Sequence, residues 1–208
     1  VTYRVSLSSD ASTAESQIPV AIQQMQADGV NLVLPVASLV AADLFAQEAD
    51  SDGYTPQYIL SDVNGGAQDN YSEYMPASFD GNIAYTSLNT GDYQAGVPET
   101  AFDTQCAQTY TAETGKTLSQ TDSEYESAVT ACGILNLFVE GATNAGPDLT
   151  RGGLSQGLLK IGQFPYPFGT TGSFGPGKYD APEYTHKVVW RYSCKCYLPD
   201  GPWYPNTY

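Results

Sequence analysis

Apolar and polar positions alternate at the start of the chain. Val1, Tyr3, Val5 and Leu7 fall on one face of an extended segment, which predicts a strand over 1–7. After the polar turn around Ser8, Ser9, Asp10 and Ser12, Ile18, Ala21, Ile22 and Met25 recur at i, i+3, i+4 and i+7. That is the apolar stripe of a helix, and Gly29 closes it. Leu32, Val33, Leu34 and Val36, broken only by Pro35, predict a buried parallel strand. Ser38 stands where it can cap a helix whose inward face is Ala41, Leu44, Phe45 and Ala49, and Gly53 ends it. Tyr58, Ile59 and Leu60 predict a further short buried strand, which leads through Ser61 and Asp62 into a loop with Asn64, Gly65 and Gly66. Ile83 to Leu88 supplies a fourth strand. Strands and helices in this alternation predict an α/β fold with a largely parallel sheet and crossover helices.

The period then changes. From about Pro98 to Ile161 the pattern is helical. Phe102, Cys106 and Thr109 share one face, and Val129, Cys132, Asn136 and Val139 share another on a long helix from about Ser123 to Ala145. Leu154, Leu158 and Ile161 mark a third helix. No strand separates the three, so their apolar faces need some other surface to cover. Phe164 to Tyr179, rich in Gly, Pro and aromatic residues, reads as loop. Val188, Trp190 and Tyr192 alternate with Lys187, Val189 and Arg191 as in a half-exposed strand, and Leu198 to Tyr208, with its prolines, reads as having little regular structure.

The segment from Ala14 to Asp62 carries a family resemblance. A helix with Gln23-Gln24-Met25-Gln26-Ala27-Asp28-Gly29 leads to Asn31-Leu32-Val33-Leu34, a small-residue turn, a helix ending near Asp52-Gly53-Tyr54, and Tyr58-Ile59-Leu60-Ser61-Asp62. This resembles the second lobe of type I periplasmic binding proteins of the Leu/Ile/Val-binding family. Gly81 to Leu88, Tyr125-Glu126-Ser127-Ala128, Gly172-Ser173-Phe174-Gly175-Pro176-Gly177-Lys178 and Lys187 to Tyr192 resemble later elements of that family in the same order.

The resemblance implies a parallel-sheet lobe of a two-lobed fold, with helices that belong to the other lobe. Residues 1–95 would form a second-lobe α/β segment, 96–165 a helical segment of the first lobe, and 166–208 a return hairpin, strand and tail of the second lobe. It implies capture of a small polar solute, such as an amino acid or amide, without catalysis and without a cofactor. The partners implied are the small-molecule ligand, a first lobe or partner chain that supplies the rest of the fold, and an ABC-type permease. The location implied is extracellular or in the cell envelope, secreted or lipid-anchored. The chain is accordingly expected to be part of a longer protein or to associate with another chain.

Charge narrows the partners. Eight basic residues against 23 acidic ones give a net charge of −15, which disfavours phosphate backbones, so nucleic acid is not an expected partner. Charged residues make up only 15% of the chain while Tyr alone occupies 16 positions, so polarity rests on uncharged groups. No apolar run approaches the ~20 residues of a membrane span. The Tyr-rich and Pro-rich end leaves open a secreted structural or adhesive domain.

The cysteines are Cys106, Cys132, Cys194 and Cys196. Cys106 and Cys132 lie on apolar faces of adjacent helical segments and are expected to form a disulfide. Cys194 and Cys196 stand two apart, where side chains of one strand share a face, so their mutual pairing is expected to be strained and each to be reduced or bonded elsewhere. Gly153-Leu154-Ser155-Gln156-Gly157 matches the G-x-S-x-G pattern of hydrolase nucleophiles, which requires a strand before the serine and a separate base, and His186 is the only histidine. Leu154 and Leu158 instead mark an ordinary helix face. Asp50-Ser51-Asp52-Gly53 and Asp62-Val63-Asn64 lack the spacing and terminal Glu of a calcium loop, and Asn70-Tyr71-Ser72 is a glycosylation sequon.

The candidate ligand residues stand at the carboxyl ends of the predicted parallel strands, where open α/β sheets bind ligands. They are Ser38, Ser61 and Asp62. Ser38 opens a helix whose backbone N–H groups would face a cleft, and Asp62 offers a carboxylate for an ammonium. The resemblance places an acidic residue at the position of Asp62 and an aromatic near Ser38, where this chain has Ser38 and Leu39. Asp62 reads equally as a turn former ahead of Asn64-Gly65.

Overall fold

Asp10 starts the first helix. Its Oδ1 accepts from the Thr13 backbone N–H at 2.9 Å and from the Ser12 and Thr13 hydroxyls, which satisfies donors that a helix start otherwise leaves open. The computed structural model describes residues 4–7, 10–36, 38–62, 65–67, 74–88, 95–120, 122–178 and 180–207. They divide into two compact units. The first holds residues up to Thr86 together with Lys187–Gly201. The second holds Ser87–His186 and Pro202–Tyr208.

In the first unit, α1 (Ala11–Ala27) buries Ala14, Ile18, Ala21 and Ile22, the predicted stripe. It ends where Gly29 takes a positive φ and Val30 N–H bonds the Met25 carbonyl at 2.9 Å. Then come β1 (Leu32–Val33), α2 (Leu39–Ser51), β2 (Gln57–Ser61) and β3 (Ile83–Thr86). β1 pairs with β2 and β2 with β3, both parallel, with Val33 opposite Tyr58 and Ser61 opposite Tyr85. Two later strands, β6 (Tyr184–Arg191) and β7 (Cys196–Pro205), complete a five-stranded sheet in the order β1-β2-β3-β6-β7, and their Lys187–Arg191 and Cys196–Gly201 portions belong to this unit. The unit closes around aromatic rings. Tyr58 lies 5.1 Å from Phe79 and Phe79 lies 5.6 Å from Trp190 between centroids, all buried with Leu60 and Val188. Asn82 ties neighbouring strands, its Oδ1 accepting from Tyr58 N–H at 2.6 Å while its Nδ2 donates to the Phe79 carbonyl.

Three sequence expectations change here. Residues 4–7 are in no strand, and Val1 and Tyr3 lie outside the described residues, although Val5 and Leu7 do pack inward on the core. The apolar run at β1 is not buried throughout. Among the described residues β1 has β2 as its only sheet neighbour; Val33 is buried while Leu32, Leu34 and Val36 are 49%, 62% and 78% exposed. The fourth strand stops at Thr86.

The second unit is built on α3 (Ala101–Thr114), α4 (Ser123–Ala145) and α5 (Arg151–Leu159), followed by an antiparallel hairpin of β4 (Gln163–Tyr166) and β5 (Thr170–Ser173). Thr100 caps α3 and exchanges hydrogen bonds with Asp103, whose other oxygen accepts from Phe168 N–H at 3.1 Å. Asp103 is fully buried. Cys106 and Cys132 form a disulfide between α3 and α4, the pairing the helix faces predicted. The faces themselves need correction. Thr109, Asn136 and Val139 are exposed, and α4 turns Val129, Gly133, Leu137 and Gly141 inward. Those glycines set the face because a Cβ on Gly133 would lie 2.7 Å from Pro167, and one on Gly157 of α5 would lie 2.0 Å from the Gly141 carbonyl oxygen. The opposite side of α4 leaves Ile134, Leu135, Phe138 and Val139 48–63% exposed.

The expected loop at 164–179 contains the β4–β5 hairpin, and the expected irregular tail contains β7. Prolines hid both. A two-stranded ribbon and an edge strand each have a side that needs no N–H, and proline is tolerated there. Cys194 and Cys196, expected to be reduced or bonded elsewhere, are bonded to each other at the turn between β6 and β7. That turn lets Lys195 adopt φ 54°, which curls the chain so that the two sulfurs meet.

Candidate functional site

Parallel pairing decides where the candidate residues lie. β1 and β2 run the same way with Val33 opposite Tyr58, so both strands leave the sheet along one edge. Ser38 follows Val33 by five residues (38 − 33) and Asp62 follows Tyr58 by four (62 − 58). Ser38 is the N-cap of α2, exposed, with its Oγ accepting from Ala41 N–H at 3.4 Å. Ser61 ends β2, and Asp62 follows it, both half-buried. Val63 and Asn64 of the predicted turn, like the sequon at 70–72, lie outside the described residues. The first unit thus presents a hydroxyl and a carboxylate where two parallel strands end, with a helix start alongside.

One acid on this helix was not foreseen. Asp43 interrupts the apolar run of α2, is half-buried, and has a buried Oδ1 with no hydrogen-bond partner among the described residues. Burial pushes its carboxyl up to about 7. The available signal was an aspartate inside Leu39-Val40-Ala41-Ala42-Asp43-Leu44-Phe45-Ala46.

No family model matches the sequence, and no curated protein matches it. Solved structures do match. A possible leucine/isoleucine/valine-binding protein from Rhodopirellula baltica is 13% identical with a TM-score of 0.62, over 93% of this chain and 47% of that one. A branched chain amino acid ABC transporter protein from Thermus thermophilus with bound valine is 11% identical with a TM-score of 0.62, over 90% and 49%. A fatty acid ABC transporter substrate-binding protein from Thermomonospora curvata is 16% identical with a TM-score of 0.60, over 91% and 47%. The fold is that of type I periplasmic binding proteins. This chain spans about half the length of the solved proteins it matches.

Within the type I fold the remaining sequence candidates take structural places. Ser155 is exposed in the body of α5, after the helix start at Thr150 rather than at a strand-to-helix turn. The glycine that completes its motif, Gly157, serves the close crossing with α4. His186 is buried in the second unit, stacked on Trp203 at 3.7 Å with Nε2 3.0 Å from the Leu88 carbonyl oxygen. The buried Lys178 ammonium donates to the carbonyls of Ser173 at 2.7 Å and Ala181 at 2.8 Å, and pairs with Glu183 at 3.1 Å. The Glu183 carboxyl lies below the usual range, held there first by the Ser173 hydroxyl and then by Lys178. Asp50 to Gly53 make the end of α2, with Gly53 at φ 70°. Among the described residues there is no group of three or more His, Cys, Asp or Glu fit to hold a metal ion, and no helix long and apolar enough to cross a membrane. The β4–β5 hairpin borders a cavity of about 290 Å³, lined by Thr100, Phe164, Tyr166 and Thr170 among others.

Proposed function

We propose that this chain forms part of a two-lobed receptor that captures a small polar solute reversibly, with no bond made or broken. The observation that carries the reading is the parallel register of β1 and β2, with Ser38, Ser61 and Asp62 on the edge where they end. Asp62 gives that edge a carboxylate, and a carboxylate recessed in a cleft attracts an ammonium more strongly than one in open water. The ligand is therefore a solute with a positive or hydrogen-bond-donating group, such as an amino acid or amide. The matched proteins are described for branched-chain amino acids and, in one case, fatty acids, so the fold alone does not choose between them.

The receptor works outside the cell or in its envelope, handing its solute to an ABC-type permease. Two surfaces support a further half of the fold, supplied by the same polypeptide or a partner. One is the strip at β1, where Leu32, Leu34 and Val36 are exposed. The other is the apolar side of α4 at Ile134, Leu135, Phe138 and Val139. Exposed apolar area of this kind marks an interaction surface.

A thermal-shift screen of the full-length protein with amino acids, amides and amines should show a melting point that rises with ligand concentration. Calorimetry with the best ligand should then show that Asp62→Asn, which keeps the shape and removes the charge, weakens binding by about 1.5–3 kcal/mol, the scale of a hydrogen bond to a charged group. Unchanged affinity would reduce Asp62 to a turn residue, and a flat screen would refute capture of these solutes.

A further inference from the structure

The two disulfides close loops of very different size. Cys106–Cys132 spans 26 residues and joins two helices, with Cys106 only 3% exposed, whereas Cys194–Cys196 spans 2. Closing so short a loop removes little freedom from the unfolded chain, so the second bond adds little to stability. Its surroundings differ as well. Cys194 is exposed on the turn while Cys196 is fully buried. Lys195 between them holds φ 54°, a left-handed conformation that a residue with a Cβ enters at a cost. Its Nζ lies 3.8 Å from the Tyr192 ring centroid and donates to the Met75 carbonyl, which holds the central residue of the turn in place.

We propose that Cys194–Cys196 is a thiol-exchange site for a dithiol reductant. The reductant's thiolate attacks the exposed Cys194 Sγ. The sulfur–sulfur bond breaks, and its electron pair leaves on Cys196 Sγ, which takes a proton from water. The result is a mixed disulfide on Cys194. The reductant's second thiolate attacks its own bound sulfur and releases Cys194 as a thiolate, which is protonated in turn. The dithiol ends as a disulfide, and the cysteine pair has gained two electrons and two protons. Exposure of one sulfur and burial of the other fix Cys194 as the point of attack. Opening the ring also lets Lys195 leave its left-handed conformation. The site stands apart from the proposed solute edge. Trp190 N–H bonds the Asn82 carbonyl, and Tyr192 N–H bonds Asp80, so the backbone of the turn lies beside the residues that immediately precede β3.

The full-length protein, equilibrated in graded buffers of reduced and oxidised dithiothreitol, quenched and alkylated, reads this directly by peptide mass. Cys194 and Cys196 should open at a reduced-to-oxidised ratio at least tenfold lower than Cys106 and Cys132, equivalent to about 30 mV for this two-electron couple. With glutathione as a one-thiol probe, the trapped adduct should sit on Cys194. With glutathione disulfide, whose exchange with a free thiol releases reduced glutathione, the adduct should form on Cys194 in Cys196→Ser, and in Cys194→Ser adduct formation on the buried Cys196 should be at least tenfold slower. Both pairs opening together, Cys106–Cys132 opening first, or an adduct found chiefly on Cys196 would overturn the proposal. None of these readouts depends on solute binding.

Discussion

The two units solve the problem of covering apolar side chains in different ways. The first wraps a sheet around linked rings, Tyr58, Phe79 and Trp190, and leaves its deficit at an edge, where β1 is two residues long and has one neighbour among the described residues. Among the described residues the second rests on helices and a two-stranded hairpin. It ties helices together with a disulfide and with glycines that let α4 and α5 touch, joins α3 to the hairpin through the buried Asp103, and leaves its deficit on a face, the outer side of α4. Ring packing tolerates loss of a contact poorly because it rests on volume. Helix crossing through glycine tolerates gain of a methyl poorly because it rests on the absence of volume.

That contrast can be broken from either side, and native-state amide exchange reads each unit separately. The largest expected effect is in the first unit. Phe79→Ala empties a ring site that is 1% exposed and should cost about 3–5 kcal/mol, with protection lost in β2 and β3. Protection in α4 that fell equally would show that the units unfold as one. The reverse experiment is Gly157→Ala, which adds a carbon where the Gly141 carbonyl oxygen stands 2.0 Å away. It should cost about 1–3 kcal/mol by overpacking, confined to α4 and α5, although alanine is the better helix former. A stabilised variant would mean that the crossing is looser than this geometry.

The smallest effect concerns charge. The Asp43 carboxyl is raised to about 7 by burial, so the folded chain holds its proton more tightly than the unfolded chain. Its contribution to stability is fully present below the ordinary carboxylate range and is lost as pH rises through about 7. Asp43→Asn removes that loss. Allowing for solvent around a half-buried group, the variant should gain about 1–2 kcal/mol on wild type at pH 8 and almost nothing at pH 4. Denaturation at the two pH values tests it, and an equal gain at both would mean that packing, not charge, is responsible.

Much of this was legible in the sequence where the signal is local. The stripe Ile18, Ala21, Ile22, the cap at Ser38, the stops at Gly29 and Gly53, and the span of α4 all depend on neighbours within a turn or two. What sequence reading missed depends on distant partners. Whether Leu34 and Val36 are buried depends on what lies beside β1, and an apolar run carries no record of that. The inward face of α4 was misjudged because glycines define it, and periodicity counts large residues. Pro165 and Pro167 disguised the hairpin, and Pro199, Pro202 and Pro205 disguised β7. Of the candidate site, the strand ends and Ser38 could be read from the pattern, whereas Asp43 passed as one polar residue in an apolar helix.

The stacking of His186 on Trp203, 3.7 Å apart and 14° from parallel, gives the chain an optical asymmetry. An imidazole lying flat on an indole drains its excited state, while Trp190 sits at 0% exposure among rings with its Nε1 out of reach of water. Light emitted by the folded chain therefore comes chiefly from Trp190 and is blue-shifted. Opening of the second unit brightens the spectrum and opening of the first reddens it, so one emission scan carries two separable signals.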